Sequence, residues 1–148
     1  AGPQLSPRMY RRLIKPYQSQ LWRFAGERSG LPVFLHSCGG IYPLIPDLID
    51  AGVAILNPVQ ISAVGMDTAR LKREFGRDLV FWGGGADTQQ ILPYATPAEV
   101  RDHVRRQIEI LAPGGGFVFN QVHNIQANVP PENVIAMFEA AHEYGCYA

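Results

Sequence analysis

Short unbroken apolar runs alternate along this chain with longer stretches of helical spacing, and Gly, Pro or a capping residue separates one from the next. Ser6-Pro7 opens the first helical stretch, with a hydroxyl for the N-cap and proline at the first helical position, where its missing N–H costs nothing. Met9, Leu13, Ile14, Leu21, Trp22, Phe24 and Ala25 form its apolar stripe, Pro16 should kink or interrupt it, and Gly26 to Gly30 ends it. Four runs read as strands buried on both faces: 31–35, 53–56, 79–82 and 117–119. A helical pattern follows each of them. Residues 43–51 carry Leu44, Ile45, Leu48 and Ile49; Asp67 caps a helix with Ala69, Leu71 and Phe75; Thr96-Pro97-Ala98-Glu99 is a capping-box signal opening a helix to about Leu111; and 131–144 is the last. Strand-helix alternation with unbroken apolar strands predicts an α/β fold with a parallel sheet, and nothing in 1–148 divides the chain into smaller units.

Composition narrows the function classes. The 148 residues carry 13 basic and 13 acidic side chains with no Lys/Arg cluster, which argues against a nucleic-acid grip. No apolar stretch approaches the about 20 residues of a membrane span. No apolar leader opens the chain, and two distant cysteines, Cys38 and Cys146, set no disulfide framework. A cytoplasmic protein acting on a small molecule is the expectation. The length also falls short of the about 250 residues of a complete (β/α)8 barrel.

In parallel α/β proteins ligands bind where strands end, and the unusual residues collect there. The strand exits read His36-Ser37-Cys38, Asn57-Pro58-Val59-Gln60, Trp82 to Asp87, and Asn120-Gln121-Val122-His123-Asn124. His36 and Cys38 are two apart, so both side chains point one way and can share a metal ion; imidazole nitrogen with thiolate sulfur suits zinc, and His123 is the natural third ligand if the sheet curves. Taken alone, H-x-C equally fits a small buried thiol beside a hydrogen-bonded loop histidine. The glycine runs at 83–85 and 114–116 read as turns, since neither forms a dinucleotide or Walker pattern. Asp87 orients a ligand or caps a short turn, Trp82 walls a pocket or packs in the core, and His103, among Arg101, Arg105 and Arg106, reads as part of a solvated helix face.

Ser6-Pro7-Arg8-Met9-Tyr10 through Ile14-Lys15-Pro16, then HSCGGIYPLIPDLIDAGVAILNPVQ (36–60), FWGGGADTQ (81–89) and FNQVHNIQANVPPENVIAMFEAA (119–141), resemble the uroporphyrinogen decarboxylase superfamily, which includes zinc-dependent methyltransferases acting with corrinoid proteins. The resemblance implies half of a (β/α)8 barrel: four parallel strands, equivalent to strands five to eight, each followed by a helix, behind an N-terminal lead-in helix. In the methyltransferase branch an H-x-C pair after strand five joins a cysteine after strand eight to hold zinc and activate a thiol. His36 and Cys38 match the pair, while His123 occupies the later position, as in the decarboxylase branch, whose F-N-x-x-H context Phe119, Asn120 and His123 match. By this resemblance zinc sits on His36, Cys38 and His123, with a corrinoid supplied by a partner protein; Asn57, Gln60, Trp82, Asp87 and Asn120 line or support the pocket. The alternatives are a metal-free decarboxylase-like site in which His123 contacts a substrate carboxylate, and a non-catalytic half-barrel. Four strands leave two sheet edges open, so a homodimer that completes an eight-stranded barrel is expected.

Overall fold

A computed structural model describes residues 2–146. Helices α1 (Pro7–Leu13) and α2 (Lys15–Ser29) lead into strand β1 (Val33–His36). A 3₁₀ turn (Tyr42–Leu44) and α3 (Ile45–Asp50) return the chain to β2 (Val53–Asn57), and α4 (Thr68–Phe75) to β3 (Val80–Trp82). Helices α5 (Ile91–Tyr94) and α6 (Pro97–Leu111) precede β4 (Phe117–Val118), and α7 (Pro131–Tyr144) closes the described chain. The four strands form one parallel sheet in chain order, β1-β2-β3-β4. This is the α/β architecture of a partial barrel.

The helix boundaries follow the local chemistry. Ser6 Oγ accepts from the Met9 N–H, Asp67 Oδ1 from the Arg70 N–H, and Thr96 and Glu99 form the reciprocal capping box. The break that Pro16 foreshadows falls at Ile14, between α1 and α2. Helix α5 has no cap on its own N-cap residue; the turn that leads into it is held by Asp87, in the capping role read from the sequence.

Alternation along the strands sorts the two faces of the sheet. Leu56 and Phe81, paired across β2 and β3, are fully buried toward the helices, together with Phe117. The core there runs through Ile45, Leu71, Leu92, Val100, Val104, Leu111 and Met137. The other face is different. Phe34 is 47% exposed, Ile55, Val80 and Val118 are half-buried, and β1 alternates between half-buried and exposed. The expectation of strands buried on both faces is therefore corrected: apolar character marks both faces, but the described residues cover only one. The lead-in stripe is corrected for the same reason. None of its residues is buried: α1 buries only Tyr10, which lies outside the stripe, α2 buries none, and Leu21 and Phe24 are 62% and 57% exposed. Tyr10 and Trp22 pack on the core, and buried Asp47 of α3 adds polar anchors, accepting from Arg11 Nε at 2.8 and 2.9 Å and from Lys15 Nζ at 2.8 Å.

Candidate functional site

The pairing of β1 with β2 sets His36 beside Asn57, and the next step across the sheet brings Asn57 to Trp82. These residues end their strands on the uncovered face, at the carboxyl rim. His36 Nδ1 lies 2.7 Å from Asn57 Oδ1, and Asn57 Nδ2 donates to the Trp82 carbonyl at 3.0 Å. Asn57 is nearly buried, whereas His36 and Cys38 are exposed. On the outer side of the imidazole, His36 Nε2 lies 3.4 Å from Cys38 Sγ. The turn that presents Cys38 is fixed twice: the Ser37 N–H donates to the Asn57 carbonyl at 2.6 Å, and the Gly39 N–H to Gln60 Oε1 at 2.7 Å. Gly39 sits at φ +93°, a conformation that side chains rarely adopt, so the sharp reversal after Cys38 needs glycine.

A cavity of about 640 Å³ opens in front of the pair, lined by His36, Ser37, Cys38 and Gln60, with Leu5, Tyr10, Ile41 and Leu44 as its apolar wall. Its wall from the lead-in segment was missed by residue-level reasoning, although Tyr10 closes the first motif of the resemblance. Tyr10 is buried, donates its hydroxyl to Gln18 Oε1 at 2.8 Å, and burial pushes its phenol above the usual range.

The other candidates stand apart from this cavity. Trp82 packs edge-on against Phe34 at a centroid distance of 5.3 Å, on the uncovered face. Asn120 is half-buried and its carbonyl accepts from the Gly85 N–H at 2.9 Å; His123 is exposed on the segment after β4. Asp87 acts as a cap, its Oδ1 accepting from the N–H groups of Gln89 at 2.7 Å and Gln90 at 3.3 Å, and it lines a second cleft of about 380 Å³ beside α6. His103 lines that cleft too. It is 9% exposed and its Nε2 accepts from the Asp87 N–H at 3.3 Å, so the reading of a solvated histidine face is corrected: Arg105 and Arg106 face water, Arg101 pairs with Glu139 and Glu143 of α7, and the histidine points inward. Burial pulls its imidazole below the ordinary range, and Arg106 adds to that while the Asp87 carboxylate opposes it.

Two donors at 3.4 Å match the spacing of nitrogen and sulfur ligands on one tetrahedral zinc, about 3.5 Å from the usual bond lengths. The same separation is that of an S–H···N hydrogen bond from Cys38 to His36 Nε2, so the donor types suit zinc while the spacing accommodates either arrangement. The full triad is not assembled: among the described residues no group of three or more His, Cys, Asp or Glu side chains is gathered to hold an ion. His36 and Cys38 meet; His123 does not join them.

Comparison with known proteins agrees with this architecture. The profile of the family described as uroporphyrinogen decarboxylase (URO-D) matches residues 1–144. Similar curated sequences include the uroporphyrinogen decarboxylases of Thioalkalivibrio sulfidiphilus, 29% identical over 97% of this chain and 40% of that one, and of Psychromonas ingrahamii, 31% identical over 96% and 39%. A solved methyltransferase from Methanosarcina mazei superposes with a TM-score of 0.73 at 20% identity, covering 96% of this chain and 39% of that one. The chain thus spans about two fifths of the length of the relatives it matches. No described helix is long and apolar enough to cross a membrane. Nearly the whole length carries the family's pattern, and the parallel strands fold as its barrel units do: the chain belongs to the uroporphyrinogen decarboxylase family.

Proposed function

We propose that this protein is a methyltransferase-type member of the family, which passes a methyl group from a corrinoid carried by a cytoplasmic partner protein to a small thiol seated at the His36–Cys38 rim. The observation that carries this reading is the 3.4 Å approach of His36 Nε2 to Cys38 Sγ at the mouth of a cavity. His36 and Cys38 would hold zinc, with His123 recruited from the segment after β4 as third ligand. Zinc, when bound, would supply a Lewis acid that lowers the pKa of a coordinated thiol. The chain's own residues do the rest. Leu5, Tyr10, Ile41 and Leu44 seat the apolar part of the acceptor, and Gln60 holds the Cys38 turn. The acceptor sulfur supplies the electron pair of the new carbon–sulfur bond, and the donor keeps that of the bond that breaks. Incubation of the full chain with zinc, methylcobalamin and a panel of small thiols tests this. Thioether formation that falls about 100-fold in His36→Ala and in Cys38→Ala supports the reading; turnover indifferent to both substitutions refutes it.

The curated relatives favour a second reading, a metal-free decarboxylase-like site in which His123 contacts a substrate carboxylate. On that reading zinc does not bind, and this chain, two fifths of the length of those decarboxylases, is not expected to turn over a porphyrinogen by itself.

We also infer that the uncovered sheet face is closed by a second copy of this chain. The outer edges of β1 and β4 are open in the sheet order, and all strands run one way, so a two-fold axis along the barrel would pair β4 of each copy with β1 of the other. The half-exposed row of Phe34, Ile55, Val80 and Val118 would fill the interior.

A further inference from the structure

We propose that Asn57 is a positioning residue that fixes His36 as its Nδ1–H tautomer, leaving the lone pair of Nε2 aimed at Cys38. The orientation of the Asn57 amide follows from its neighbours. The Trp82 carbonyl can only accept, so the group 3.0 Å from it is the amide nitrogen, and the oxygen faces His36. An oxygen 2.7 Å from His36 Nδ1 then demands a proton on that nitrogen, because two facing acceptors repel. Neutral imidazole carries one proton, so Nε2 is the acceptor. It is also the nitrogen 3.4 Å from Cys38 Sγ.

Burial makes this orientation hard to reverse. Asn57 is 9% exposed, and turning its amide over would set its oxygen against the Trp82 carbonyl and forfeit the hydrogen bond made there. The relay crosses three strands, from the β3 carbonyl through the β2 amide to the β1 imidazole, so the parallel register of the sheet sets which nitrogen reaches the cavity. A histidine that binds a metal is commonly held in this way by a second group at its other nitrogen.

The metal consequence rests on the zinc reading above; the tautomer does not. The test is therefore made first on metal-free protein. Long-range ¹H–¹⁵N spectra of the full chain at about pH 8.5, where an ordinary imidazole is neutral, with His36 assigned by comparison with His36→Gln, should show Nδ1 protonated and Nε2 bare. Asn57→Leu should lose that preference, and Asn57→Asp, which keeps an acceptor at Nδ1, should retain it. Zinc alone should then bind Asn57→Leu about 10- to 100-fold more weakly than wild type, with Asn57→Asp recovering most of the affinity. A wild-type His36 protonated at Nε2 overturns the proposal without need of any variant, and so does an Asn57→Leu protein that keeps the Nδ1–H form. Zinc that fails to bind the wild type, with the tautomer as stated, overturns the metal reading and leaves the positioning role in place.

Discussion

At the scale of single residues, two buried groups tie pH to stability, and both act in the same direction. Burial pushes the Asp47 carboxyl upward, but hydrogen bonds and charge from Lys15 and Arg11 outweigh it and hold the carboxyl below the usual range. A depressed carboxylate stabilises the fold above the unfolded value, about 3.9, and that contribution is lost as pH falls through the folded value. Asp47→Asn should therefore cost about 2 kcal/mol at neutral pH and little in strong acid, read by urea unfolding. His103 works at milder pH. Its imidazole is depressed by burial, so the folded chain binds fewer protons than the unfolded one, and stability should decline as pH falls below about 6.5. In His103→Gln that decline should flatten between about pH 7 and 5, because the titrating group is gone; an unchanged slope would show that His103 does not carry it. Neither group was legible as buried from spacing alone. His103 sits among arginines in sequence, and only the packing of α6 on the turn after β3 turns it inward.

At the scale of elements, the boundaries that chemistry marks were legible and those set by tertiary contact were not. Thr96 to Glu99 marks its own helix start, and Thr96→Ala should cost about 1 kcal/mol of stability. Helix α5 has no such mark, because a carboxylate outside it, Asp87, holds its entry. The glycines after β3 were readable as a turn but not as a packing constraint. A Cβ on Gly85 would lie 2.4 Å from the Phe119 ring, so Gly85→Ala should destabilise by about 1 to 3 kcal/mol, and Phe119→Leu in the same chain should restore part of the loss. Thermal or urea unfolding of the single and double variants measures both effects. The site shows the same division. The pair His36 and Cys38 was legible from spacing two on a strand end, and Asn57 and Gln60 were recognised as neighbours. Their roles behind the imidazole and the Cys38 turn depend on register between strands, which one strand's sequence does not encode.

At the scale of the whole molecule, the sheet has one packed face and one waiting face. Leu31 and Phe34, and Tyr17, Leu21 and Phe24 of α2, are large apolar side chains left exposed among the described residues. Closure by a second copy predicts a dimer in light scattering across the micromolar range, and Phe34→Glu should dissociate it; a monodisperse wild-type monomer would contradict the closure. Closure also decides the surroundings of the rim, since it would bring two His36–Cys38 pairs to one end of a common barrel. The family and the strand order were readable from motifs in the chain, whereas the exposure of this face depends on packing that no motif encodes.

The proposed methyl transfer rests on a metal centre at His36 and Cys38. Competition of purified protein with a zinc-binding chromophore measures it directly. One zinc per chain is expected in the wild type, with loss of that binding in both His36→Ala and Cys38→Ala. A wild type that takes up no zinc, or variants that hold it as tightly as the wild type, would contradict it.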